Sequence, residues 1–372
     1  MKYKKNWEET KEKFRNYWKH QNTGRPLMIV WAEKEDAQPL PKELEPVDME
    51  DKYMNAERMV ARYRHFCENH EFMGESFPNM SVDFGPGSVA AYLGSDIEFR
   101  DDTIWFTECV DEWEDTPALK FDPENKWLVK HLELVKKCRE LAGDDFYIPI
   151  PDLMENIDVL ASLRGAQNTV FDLIDEPEEM EERIQQVTDV YFDYYDRFYD
   201  LVKDKDGSSS YTVFQIWGEG KTAKLQCDFS ALMSPNQFRE FIVDSLRQQA
   251  GKLDHVLYHL DGPDAIKHVD ALMEIEEIDA LQWTSGDHGP DGTLEDWYEI
   301  YDKARRAGKS LWIKVYSGNV DDWIRNVDRL VQRYGSHSML LYFNPMPMAD
   351  AKKLMAYAEE HWKDVKGTFV SV

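Results

Sequence analysis

Residues 258–265, YHLDGPDA, place a histidine and two aspartates around a Gly-Pro turn. His259 and Asp261 are two apart in an extended segment, so their side chains share one face while Leu260 takes the other. An imidazole beside a carboxylate can ligate a metal, or the carboxylate can orient the ring for acid–base work. The plainer alternative is a histidine bonded to a backbone carbonyl and an aspartate capping the next helix. Glu219, in QIWGEG, follows Trp217 and stands between glycines, which leave its carboxylate room to face a ligand. An apolar wall beside it would raise its pKa toward general-acid work. It completes a candidate metal set of His259, Asp261 and Glu219. Asp83, in VDFGPG, joins those three as a candidate catalytic group; the glycines equally suit a turn.

Further candidates close other apolar runs: Trp31 and Glu33, Asp152 and Glu155, Trp217, Trp283, Tyr316, and Asn344 with Met346. The aromatic ones suit walls around a flat or ring-shaped ligand, although core packing is the default for any one of them. Asp287 and His288, in SGDHGPDG, are candidate substrate contacts or turn stabilisers. Cys227 reads as a buried structural cysteine rather than a reactive thiol.

Such residues need elements that bring them together. Eight short β-branched or aromatic runs recur, at 25–33, 77–85, 145–153, 211–219, 255–262, 278–286, 310–318 and 338–345. Most are closed by Gly, Pro, Asp or Asn, and helical patterns fill most of the gaps. SPNQFREFIVDSLRQQAG begins with Ser234, Pro235 and Gln237, the grammar of a capping box. TLEDWYEIYDKARRAG begins at Thr293, with Asp296 as box partner, and stops at Gly308. Strands alternating with helices predict parallel pairing, and eight units predict an α/β fold closed into a (β/α)8 barrel, with its site at the carboxyl ends of the strands. No Gly-x-Gly-x-x-Gly follows a strand, which argues against an open dinucleotide-binding sheet. One domain, 1–372, is expected, with an N-terminal helical arm at 1–24 and an irregular insertion at 86–145.

Composition bounds the partners. With 44 Lys plus Arg against 72 Asp plus Glu, the net charge is −28. Such a field repels nucleic acid and anionic membrane surfaces. No run approaches the roughly 18 apolar residues of a membrane span. Four scattered cysteines form neither a zinc ribbon nor a disulfide scaffold, so a reducing cytoplasm is expected.

The stretches DFGPGSVAAYLGSDIEF, SPNQFREFIVDSLRQQ, YHLDGPDAIKHVDALMEIEEIDALQW and YSGNVDDWIRNVDRLVQRYG resemble, in order, the uroporphyrinogen decarboxylase superfamily. The resemblance runs from about residue 20 to the C-terminus. It implies a (β/α)8 barrel, and either haem-pathway decarboxylation or zinc-dependent methyl transfer between corrinoid proteins and thiols. It also implies a role for Asp83 near the aspartate that holds pyrrole nitrogens. The arginine-rich segment of the decarboxylases is replaced by the acidic WAEKEDAQP, and their last histidine by YFNPMPM. Where the methyltransferases carry His-x-Cys and a later Cys, this chain has His259-x-Asp261 and Asn344. Losing both thiolates removes the soft donors that select zinc.

The expectation is an enzyme with a divergent pocket for a small organic molecule, methyl transfer being preferred because His259 is kept and the arginines are not. It would use a divalent metal such as zinc and a corrinoid protein as partner. Tetrapyrrole decarboxylation, glycoside hydrolysis through Glu219, and a non-catalytic binding barrel are the rivals. The resemblance also implies a homodimer, with the tryptophan-bearing arm against the partner.

Overall fold

The residues that alternate along five chain segments sort themselves onto the two faces of one sheet. The structure is a computed structural model describing residues 1–21, 24–101, 103–211, 213–286 and 289–369. Its main sheet contains β1 (Leu27–Glu33), β2 (His70–Gly74), β3 (Thr222–Gln226), β4 (His255–Asp261), β5 (Ala280–Thr284), β6 (Ser310–Val315), β7 (Met339–Phe343) and β8 (Met346–Pro347). Seven of them run in the order β8-β1-β7-β6-β5-β4-β3, every neighbouring pair parallel, and β2 lies antiparallel on β1. The fold is therefore mixed α/β with a mostly parallel central sheet and flanking helices. No described helix is long and apolar enough to cross a membrane.

One face is apolar throughout. Leu225, Val256, Tyr258, Leu260, Leu281, Leu311, Ile313, Leu341 and Phe343 are all buried. Parallel sheets carry such runs because helices cover them. The alternate positions form the other face, and the strand register sets Gln226, His259, Gln282 and Trp312 in one row across four strands.

Three expected strands fold differently. Among the described residues, 77–85 and 145–153 make only single parallel bridges, Asn79 with Tyr147 and Ile150 with Tyr211. The run 211–219 is an antiparallel hairpin, Ser209–Tyr211 against Ile216–Gly218, and the parallel strand follows it as β3. The chain reverses again into β3 at Gly220, at φ +79°, where a Cβ would fall 2.1 Å from the Asp254 carboxylate. Only glycine takes that reversal readily.

The expected capping box of Ser234 with Gln237 is present. The helix expected from Thr293 instead starts as a 3₁₀ turn at Glu295–Trp297 and continues through Tyr298–Arg306. The insertion holds a helix, Lys126–Ala142, capped by Asn125.

The arm is the helix Trp7–Trp18, laid against the amino ends of the strands. Trp18 stacks on His255 and donates to the Trp217 carbonyl at 2.8 Å, while Tyr17 donates to the Leu311 carbonyl at 3.2 Å. Its tryptophans are thus buried within the chain. Glu75, just after β2, ties the arm to the sheet. It accepts from Lys13 (2.9 Å), from Arg25 (2.8 Å) and from the Met28 backbone (2.7 Å). Burial alone would push this carboxyl up, but those cations and the backbone donor outweigh it and hold it at about 2.

Two outcomes follow in urea denaturation. Arg25→Met, which strips the main counter-charge from a buried carboxylate, should cost about 3–5 kcal/mol. Because the Glu75 pKa is depressed on folding, its contribution is complete above 4.5, the ordinary glutamate value, and should be lost as pH falls from there to about 2.

Candidate functional site

Polar side chains on the inner sheet face make a site only if something satisfies them, and the carboxyl ends of β3 to β6 show how that is done. Lys224 is wholly buried. Its ammonium pairs with Asp152 at 2.8 Å and donates to the Gln226 side-chain carbonyl. Burial would lower its pKa, yet Asp152 and then Glu155 raise it, so it stays charged. Asp152 also accepts from the Tyr211 hydroxyl at 3.1 Å.

With its carbonyl taken by Lys224, the Gln226 amide has a fixed orientation. Its N–H groups donate to Asp158 (3.1 Å) and Asp228 (2.9 Å). Asp158, buried at the start of the helix Asn156–Arg164, accepts in addition from the backbones of Asp228 (2.9 Å) and Phe229 (2.8 Å), which pins the turn after β3. Asn156 sits at φ +48° with its amide on the Gln226 carbonyl at 2.8 Å, so left-handed backbone is held here by a side-chain bond. Glu155 accepts from the Gln226 backbone, and burial pushes its carboxyl well above the ordinary glutamate range.

Asp228, His259 and Asp261 converge at this end, with one potential ligand atom of each within 4.8 Å of the others. Asp228 opens to solvent at the rim, although the protein around its carboxyl group, and then the charge of Asp158, push it up to about 7. The His259 Nδ1 bonds the Gln282 side-chain oxygen, and the Gln282 amide donates onward to Thr284 Oγ1 at 2.9 Å. That direction makes Nδ1 the protonated nitrogen and leaves Nε2 with its lone pair. Desolvation lowers the His259 pKa and favours this neutral ring. A ring fixed through one nitrogen with the other free is the usual arrangement of a metal-binding histidine. A cavity of about 340 Å3 adjoins the triad, with Phe214, Trp312 and Tyr342 as its aromatic wall. Trp312 stacks on Tyr342 at 5.1 Å between ring centres.

The residues expected from sequence are divided by this geometry. His259 and Asp261 share the site. Asp83 stands behind it, its carboxylate accepting from the backbones of Asp152 (2.6 Å) and Gly85 (2.7 Å), with burial and the neighbouring Asp152 charge pushing it up to about 7. Trp31 stands behind the aromatic wall, edge-on to Tyr342 at 5.4 Å. Trp283, Tyr316 and Asn344 border an adjoining hollow of about 280 Å3. Glu219 and Trp217 lie elsewhere. Glu219 pairs with Arg15 of the arm at 2.8 Å, and Trp217 is buried against Trp7 and Phe14, both near the amino ends of the strands, where the hairpin delivers them. Asp287 and His288 lie outside the described residues. Burial pushes the Cys227 thiol far up, which fits a structural cysteine.

Lys224, Gln226, Asp228, Gln282, Phe214, Trp312 and Tyr342 were not among the expected site residues. One signal does mark the first three: in TAKLQCD, residues 222–228, Thr, Lys, Gln and Asp alternate with Ala, Leu and Cys. No protein-family model matches the chain, nor does any curated protein.

Lys224→Met, which leaves the half-buried Asp152 without its cation, should destabilise the fold by about 3–5 kcal/mol. Combining it with Asp152→Asn should recover part of that loss in a double-mutant cycle measured by urea denaturation.

Proposed function

We propose that the chain is a metal-dependent enzyme of the kind found in the uroporphyrinogen decarboxylase superfamily, built as a closed (β/α)8 barrel and acting on a small organic molecule. Closure is supported by the two parallel bridges, Asn79 with Tyr147 and Ile150 with Tyr211, which link 77–85, 145–153 and 209–211 in the order a closed barrel needs between β1 and β3. The observation that carries the reading is the triad Asp228, His259 and Asp261 with the His259 ring locked by Gln282. Two carboxylates and one imidazole suit a divalent cation that accepts oxygen donors, such as zinc or manganese. A cation held there would supply positive charge to a nucleophile or a developing oxyanion.

The chain's own residues do the rest. Gln282 presents Nε2 of His259, Gln226 orients Asp228, and Phe214, Trp312 and Tyr342 hold a flat apolar body and exclude water from it. Methyl transfer, with a corrinoid protein as the methyl source, is preferred to decarboxylation. The first cavity is bordered by Asp152 and Asp228, and such carboxylates would repel a polycarboxylate tetrapyrrole. Glycoside hydrolysis loses its acid, because Glu219 is paired with Arg15 away from the triad.

Chelator-stripped protein titrated calorimetrically with Mn2+ or Zn2+ should bind one ion per chain. His259→Ala and Asp228→Asn should each weaken binding by at least ~100-fold, Gln282→Leu by roughly 10–100-fold, and Glu219→Gln not at all. No binding, or equal binding by His259→Ala, would falsify the metal centre. Loss of the methylcobalamin absorption spectrum on adding metal-loaded protein and a small thiol is the readout for methyl transfer.

A further inference from the structure

The second hollow, between the ends of β5, β6 and β7, shares Thr284 and Lys314 with the first, yet its chemistry is opposite. Asp152 and Asp228 border the first; none of the described residues bordering the second is acidic. The buried acid beside it, Asp291, is consumed by the backbone. Its Oδ2 accepts from Tyr316 and Ser317, and its Oδ1 from Thr293, all at 2.8 Å. Lys314 reaches the rim with its ammonium 5.7 Å from the Tyr316 ring centre, and no described carboxylate pairs with it.

Around that ammonium the hydrogen-bonding groups have protons to give. Thr284 Oγ1 already accepts from Gln282, so its own O–H points elsewhere. Ser285 Oγ and the Tyr316 hydroxyl lie 3.2 Å apart, and one proton serves that contact while the other stays free. Asn344 brings an amide. Among the described residues, these donors have no anionic acceptor at the hollow.

We propose that this second hollow binds a carboxylate of the substrate, which makes the substrate a small carboxylic acid whose flat body lies along Trp312. Its other end reaches Asp228, His259 and Asp261, and this part rests on the reading of that triad as the reacting end. A single lysine matches a monoanion. A phosphate dianion calls for a second cation, an arginine fork or a helix N-terminus, and none borders the hollow among the described residues.

Metal-free protein titrated with benzoate, benzamide and inorganic phosphate, followed by tryptophan fluorescence, tests the subsite without the metal. Benzoate should bind at least ~10-fold more tightly than benzamide or phosphate. Lys314→Gln should weaken benzoate by roughly 10–100-fold, the range of a charge-assisted hydrogen bond, and leave benzamide unchanged. Tyr316→Phe, which removes one hydroxyl, should weaken benzoate more modestly and serves if Lys314→Gln melts early. Equal benzoate binding by wild type and Lys314→Gln, tighter binding of phosphate than of benzoate, or no benzoate binding overturns the proposal. Mn2+ titration of Lys314→Gln reads the triad separately and should match wild type, so a failed metal centre and a failed carboxylate subsite give different results.

Discussion

A charged lysine buried on the face of a parallel sheet is the constraint around which the polar end of this molecule is arranged. Lys224 cannot lose its charge cheaply beside Asp152, and it cannot keep that charge without partners. Each partner then dictates the next. Lys224 fixes the Gln226 carbonyl, Gln226 turns its N–H groups to Asp158 and Asp228, and Asp158 gathers the backbone that follows β3. The position of Asp228 next to His259 is thus inherited from an ion pair on the neighbouring strand position rather than set by local preference.

Stabilising contacts and the candidate site occupy opposite ends of the strands. At the amino ends the arm, β1, β2 and the last helix are joined by Glu75 and Arg25, which also pairs with Glu359 at 2.7 Å. Aromatic side chains there, among them Phe14, Trp18 and Trp217, are wholly or almost wholly buried. At the carboxyl ends carboxyl groups crowd together, several of them pushed toward neutrality by burial. Such a cluster costs folding energy, and proteins keep strained or underpaired groups mainly where function uses them.

How much of this could be read from the chain depended on spacing. The pairing of His259 with Asp261 on one face follows from a period of two, which every strand obeys, and that pair is where the site lies. The same period was present in 222–228 but was hidden by the run before it, since FQIWGE has the look of a strand end and Gly220 of an ordinary turn residue. Without knowing that the chain reverses there, Glu219 and Trp217 seem to sit at a carboxyl end when they sit near an amino end. Lys224 and Gln226 gave no local hint of partners 70 residues away, because an ion pair such as Lys224 with Asp152 is a product of tertiary packing. Trp312 and Tyr342 lie inside the apolar runs SLWIKV and SMLLYF, where nothing in the sequence singles them out.

The reversal at Gly220 has a wider consequence. A strand whose two faces are so unlike works as a ratchet with only one allowed tooth. Insert or delete one residue between 219 and 222, and Ala223 and Leu225 would turn toward the cavity while Lys224 and Gln226 met the aliphatic layer under the helices. The register of β3 against β4 is therefore held by the unlikeness of its two faces as well as by the turn that precedes it.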